Sequence, residues 1–263
     1  MWQNLARLFR YRGLIQSLVS RELKARYRGS VLGFFWSFVN PLLLLGIYTF
    51  VFSTIMKNDE PRTQPYAVFM FCGILPWTWF SSSMLEASTS LIAGGNLIKK
   101  VLFPAEVLPI VSVLSNMVHF CFGLSILFGF MLYKGHLPHY PGILWFPFIV
   151  LVQLIFTVAC VLVLSALTVH FRDLRDLLSN LLTLWFFATP IIYPYFLKSV
   201  ENYVGYFRWN PMYHLIVPYQ ESLFFDGFGH SRSLFILAGA SVAFFFAAYW
   251  LFDRLRDSFA EVV

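Results

Sequence analysis

Between Arg28 and Lys57 the chain runs for 28 residues without a charge, and no other feature limits its fold as strongly. About 20 such residues make one helix across the hydrocarbon of a bilayer. Five further stretches share this character. Residues 63–98 carry one charge, Glu86, while 107–133 (27 residues), 135–171 (37), 177–197 (21) and 233–252 (20) carry none. The segment HLPHYPG trims the fourth of these to about 143–169. Only 12% of the chain is charged and 59% is hydrophobic, against roughly 25% charged in soluble domains. The expectation is an all-α integral membrane protein with six transmembrane helices, near 30–56, 66–92, 107–133, 143–169, 177–197 and 233–252.

Orientation follows from Lys and Arg in the connections. With both termini on one side, thirteen of these residues collect there and six on the other, which predicts cytoplasmic termini. The net charge of +6 is thereby a topology signal, and no nucleic-acid partner is expected. No cleavable leader is legible in residues 1–28. They read instead as an amphipathic interfacial helix, with Leu14, Ile15, Leu18, Val19 and Leu23 on one face, Arg21, Glu22, Lys24 and Arg26 around the other, and a bend at Gly13. Such a helix serves either as a membrane anchor or as a surface for a cytoplasmic partner. Residues 198–232, on the outer side, hold nine aromatics among 35 residues, with Pro211 and Pro218 cutting them into short pieces. They are read as short re-entrant helices between spans five and six, or as an interfacial aromatic belt.

Recognisable catalytic chemistry is absent from this sequence. It contains no GxxxxGK[ST], HExxH, GxSxG or CxxC motif, and Cys72, Cys121 and Cys160 lie singly in apolar runs. No catalytic residue, metal site or cofactor bound by this chain is expected. Within the spans Glu86 and His119 are the ionisable exceptions, too few for an ion-coupled path. Glu86 reads as a residue near the cytoplasmic interface and His119 as a packing residue. Aromatics remain: rings suit the C–H faces of sugars while Tyr and Trp supply polar handles. Candidates to line a substrate tunnel are Tyr48, Phe52, Trp77, Trp79, Trp185, Phe186 and Tyr193.

The stretch RELKARYRGSVLGFFWSFVNPLL (21–43) resembles the start of the first span in permease subunits of type-2 ABC exporters, the group that exports O-antigen, capsular polysaccharide and teichoic acid. Arg26, Tyr27, Ser30, Leu32, Gly33, Trp36, Asn40 and Pro41 hold the pattern. KKVLFPAEVLP (99–109), HFRDLRDLL (170–178), TPIIYP (189–194) and WNPMYHLI (209–216) resemble later family segments in the same order. The chain departs from the pattern at Gln220, where the family usually has an arginine.

The resemblance implies a half-transporter in the bacterial inner membrane: a homodimer joined to two copies of a cytoplasmic ATPase that uses ATP and magnesium. A coupling helix near 95–105 would meet the ATPase through Lys99, Lys100 and Phe103, with Arg172, Asp173 and Arg175 as a second contact. Arg26 and Arg28 would guide the pyrophosphate of a lipid-linked polysaccharide into the tunnel, and Asn40-Pro41 would kink the first span. The implied setting is O-antigen export and lipopolysaccharide biosynthesis. A small-lipid or multidrug exporter of the same fold stays open, as does a multi-pass glycosyl- or acyltransferase, for which HFRDLRD is the candidate site.

Overall fold

The computed structural model describes residues 11–55, 60–100, 104–138, 141–171, 173–197, 200, 203–225 and 227–262, and among them no strand occurs. Ten α-helices follow one another in this described part: α1 Arg12–Arg26, α2 Trp36–Tyr48, α3 Tyr66–Ala93, α4 Gly95–Lys100, α5 Val107–Lys134, α6 Phe146–His170, α7 Leu174–Phe187, α8 Val204–Phe207, α9 Tyr213–Leu223 and α10 Ser231–Val262. Four of them are long and apolar enough to cross a membrane: α3, α5, α6 with its leading 3-10 turn, and α10 through Arg256. A shorter apolar helix covers Trp36–Val51. The chain is an integral membrane protein.

Local chemistry explains the helix ends. α5 stops after Lys134 because Gly135 takes a left-handed conformation, φ 68°. The Gly135 N–H then donates to Leu132 O and the His136 N–H to Met131 O, satisfying carbonyls that a helix end leaves open. The stretch expected as a span over 177–197 is helical only to Phe187. Its 14 residues reach about 21 Å at 1.5 Å each, and the rest is irregular. Pro190 and Pro194 cannot donate backbone hydrogen bonds and push the residues before them away from helix. The first expected span, 30–56, is helical from Trp36 with Pro41 inside, and becomes π-helical over Thr49–Ile55.

α3 is the centre. It packs on α5, α6, α7 and α9, and its residues from Tyr66 to Trp77 are buried without interruption. α10 lies along α6. Between helices in a bilayer, water exclusion drives little, and interhelical polar contacts count for about 0.6 kcal/mol each. Such contacts recur here: the Trp79 indole donates to Val113 O at 3.1 Å, and Gln153 Nε2 donates to Pro76 O at 2.8 Å.

At the two ends the structure adds what helical period alone left undecided. The apolar face of α1 does not lie on lipid alone; Leu14, Ile15, Leu18 and Val19 cluster with Val107 and Val111 of α5. Gly13 lies in the first turn of α1, inside the helix. Within 198–232 the described helices are α8 and α9, and α9 is buried along nearly its whole length among α3, α6 and α10. The TPIIYP and WNPMYHLI segments meet at Asn210, which accepts from the Trp185 indole (2.7 Å) and donates to Ala188 O (3.1 Å) and Thr189 Oγ1 (2.9 Å). Gln220, fully buried, donates to Pro190 O at 3.1 Å.

Candidate functional site

The most sequence-distinctive stretch, 26–41, folds into the wall of a cavity. After α1 the chain turns through Gly29 (φ 81°) and Gly33 (φ 51°), both in the left-handed region that suits glycine. The turn is stapled onto the start of α2. The Trp36 indole donates to Ser30 Oγ at 2.9 Å and the Ser37 hydroxyl to the Tyr27 hydroxyl at 3.1 Å.

Behind that turn lies a cavity of about 290 Å³ between the end of α1, α2, α3 and α5. Its rings come from Tyr27, Trp36, Phe71, Trp79 and Phe120; its polar groups come from Arg26, Ser37, Asn40, Thr78, Ser82, Asn116 and His119. Trp79 and Phe120 stack with centroids 5.0 Å apart, and Tyr27 meets the His119 ring edge-on at 5.9 Å. His119 Nε2 is buried without a hydrogen-bond partner among the described residues.

Arg26 closes one side of this space. Its Nη2 lies 2.6 Å from Glu86 Oε2 and its Nη1 donates to Asn116 Oδ1 at 3.3 Å. Asn116 Nδ2 in turn donates to the same Glu86 oxygen at 2.7 Å and to Ser112 O at 2.9 Å. Three helices, α1, α3 and α5, are thus joined by one charged triad. A second cavity, about 250 Å³, lies on the far side of Glu86, lined by Arg21, Glu22, Thr89, Ser90 and Ser112 among others. Arg26 and Asn116 thus line the aromatic cavity and Glu86 the second, mixed one. Both members of the ion pair keep about 30% of their side chains exposed (29% and 31%), so an incoming anion can compete for the guanidinium.

The tunnel residues named from sequence scatter. Trp79 alone lines the aromatic cavity. Trp77, Trp185 and Phe186 form a separate packed group, with Trp77 5.7 Å from Phe186 and 6.2 Å from Trp185. The Tyr193 hydroxyl donates to Phe187 O at 2.8 Å, and its ring lies 6.3 Å from Phe207. Tyr48 is half-buried against the core. Phe52 falls in the π-helical stretch, with its side chain outside the described residues.

Arg26 and Arg28 do not share a site. Arg28 is exposed and lines a separate depression with Arg21 and Lys24. Glu86 pairs with Arg26, and His119 lines the aromatic cavity while packing against Tyr27. Of the residues expected to contact the ATPase, Phe103 and Arg172 lie outside the described residues, as do the side chains of Lys99 and Lys100, whose backbone forms the end of α4. Asp173 and Arg175 are exposed where α6 gives way to α7.

Sequence reasoning missed Tyr27, Ser37, Thr78, Ser82, Asn116 and Phe120 as members of one site. A signal was present: Thr78 with Ser82, and Asn116 with His119, stand four and three residues apart inside apolar runs, which sets each pair on one helical face.

The sequence profile of the family described as ABC-2 type transporter matches residues 13–224. The chain is 41% identical over 259 residues, 97% of each protein, to an O-antigen export system permease protein RfbA of Myxococcus xanthus. It is 32% identical to a Klebsiella pneumoniae protein of the same description, over all of this chain and 98% of that one. A polysialic acid transport protein KpsM of Escherichia coli is 25% identical over 207 residues, 77% of this chain and 78% of the relative.

Proposed function

The chain belongs to the ABC-2 type transporter family, and from that premise we propose that it is the membrane subunit of an ATP-driven exporter of lipid-linked, O-antigen-like polysaccharide across the bacterial inner membrane. It is a permease, and ATP hydrolysis belongs to a separate subunit. The observation that carries the substrate class is the likeness to an O-antigen export permease over 97% of both chains.

The rest of the reading extends that premise. Two copies of this chain work with two copies of the ATPase, which uses ATP and magnesium. The outward row of Leu177, Leu181, Leu184 and Phe187 on α7, all well exposed, offers a surface for the second copy. Six crossings with cytoplasmic termini fit the charge distribution, with residues 1–28 as an interfacial helix, α4 and the residues to 105 as the coupling element, and 198–232 dipping into the outer leaflet. Lys99, Lys100, Phe103, Arg172, Asp173 and Arg175 face the ATPase. The substrate tunnel runs past Tyr48, Phe52, Trp77, Trp185, Phe186 and Tyr193, with Trp79 serving the aromatic cavity. Arg28 attracts the anionic lipid headgroup at the surface, where each cation contributes about 1 kcal/mol. Arg26 receives the pyrophosphate in exchange for Glu86.

The test is depletion of the chain in cells, with surface polysaccharide and membrane-extracted lipid-linked polymer measured together. Loss of surface glycan with polymer accumulating inside is the expected result. Disappearance of both pools would place the protein in synthesis, and no change in either would make it an exporter of small lipids or drugs.

A further inference from the structure

Glu106 stands at the start of α5, three residues beyond the segment that follows α4, and is 1% exposed. A carboxylate removed from water has to be paired, and both of its oxygens are. Oε1 accepts from the Tyr249 hydroxyl at 2.9 Å, and Oε2 from the Arg256 guanidinium. The two donors are seven residues apart on α10, which puts them on one face about 10 Å apart along the axis. A single carboxylate held from two heights on the same helix resists sliding as well as separation. Asp253 at 3.6 Å steadies Arg256 further.

The turn from α3 into α4 packs against the start of α5. At Gly94, between α3 and α4, an added Cβ would stand 2.4 Å from Leu108 Cδ1 of α5. α4 also touches α10 directly. α10 thus meets both α4 and the residue that opens α5.

The opposite end of α10 is tied in the same manner. Glu221 of α9, 4% exposed, accepts from the backbone N–H groups of Gly229 (3.0 Å) and His230 (3.1 Å) and faces His230 Nδ1 at 2.7 Å. His230 directly precedes the helix, whose 32 residues span about 48 Å. One flank, with Phe235, Ile236, Val242 and Trp250, is exposed, so α10 is not gripped from every side.

Resting on the export reading above, we propose that α10 is a rigid rod carrying displacement of the α4 bend, driven by the ATPase, to the buried helix α9 at the far end of the molecule. Glu106, Tyr249 and Arg256 are positioning residues at the driven end; Glu221 and His230 hold the driven helix to its load. Loss of the driven-end clamp uncouples hydrolysis from transport without touching substrate.

The experiment reconstitutes the chain with its ATPase in proteoliposomes and counts lipid-linked glycan moved per ATP hydrolysed. Glu106→Gln is expected to assemble and hydrolyse ATP while that ratio falls about tenfold, within the range of ordinary coupling. A purely packing role would lower transport and hydrolysis together and leave the ratio constant, which overturns the proposal. Should Glu106→Gln not assemble, Tyr249→Phe, which deletes one hydroxyl, is read by the same ratio: a fall of a few fold supports the rod, and an unchanged ratio rejects it. A wild-type complex that hydrolyses ATP and moves no glycan would instead overturn the export reading.

Discussion

Arg26 meets Glu86 with both side chains about 30% exposed (29% and 31%), whereas Arg256 meets a Glu106 that is 1% exposed. Both pairs fasten a terminal helix, α1 or α10, to the central hairpin of α3 and α5. The arginines are equally exposed, 29% and 30%, and the carboxylates differ. Glu86 shares one oxygen between Arg26 and Asn116 and lines a cavity. Glu106 has an oxygen for each of two donors on one helix. A partly exposed pair gains little Coulomb energy and gives up little when exchanged. A buried carboxylate is left as a stranded charge when its cation goes. The same residue types therefore make a displaceable contact in one place and a fixed joint in the other.

The comparison breaks most readily at the buried joint. Arg256→Gln should destabilise the purified chain by about 3–5 kcal/mol, the usual result of stripping the partner from a buried charge, because it leaves Glu106 1% exposed and without its cation. Glu86→Ala should cost at most about 1 kcal/mol, as exposed pairs do. Thermal melts in one detergent decide this, and equal losses would erase the distinction. Next in size is the functional effect at the rim. Arg26→Gln should lower export about tenfold, the equivalent of one charge-assisted hydrogen bond, with a melt close to wild type. Glu86→Gln should tighten binding of lipid-linked substrate because the competing carboxylate is gone. If both variants weaken export alike, the pair is structural and the exchange fails. The smallest effect is expected from His119→Phe. Its Nε2 has no described partner to lose, so stability should hold within about 0.5 kcal/mol while export slows a few fold; unaltered export would remove His119 from the site.

How much of this was legible beforehand depended on which physical rule governed each residue. The uncharged gap 107–133 became helix Val107–Lys134 because charges are costly in hydrocarbon and mark both ends of a run. The gap 177–197 overshot the helix Leu174–Phe187, since absence of charge says nothing about whether Thr189-Pro190 and Tyr193-Pro194 let a helix continue. Arg26 was legible as one member of a cationic cluster, yet its partners lie 60 and 90 residues away. Aromatic content pointed to sugar-like chemistry without separating Trp79, on the cavity, from Trp77, in the packed group 5.7 Å from Phe186.

The sequence by itself determined that this chain lives in a membrane, that it is helical, and, through five ordered segments, which family it resembles. Those properties are local: hydrophobicity, charge and helical period are summed along the chain. The tertiary structure alone decided that Glu86 answers Arg26, that Glu106 answers Tyr249 and Arg256, and that Asn116 and His119 face the same space as Trp36. Each is a meeting of residues far apart in sequence. Such meetings depend on how helices cross in three dimensions, and the period of any one helix carries no record of its neighbours.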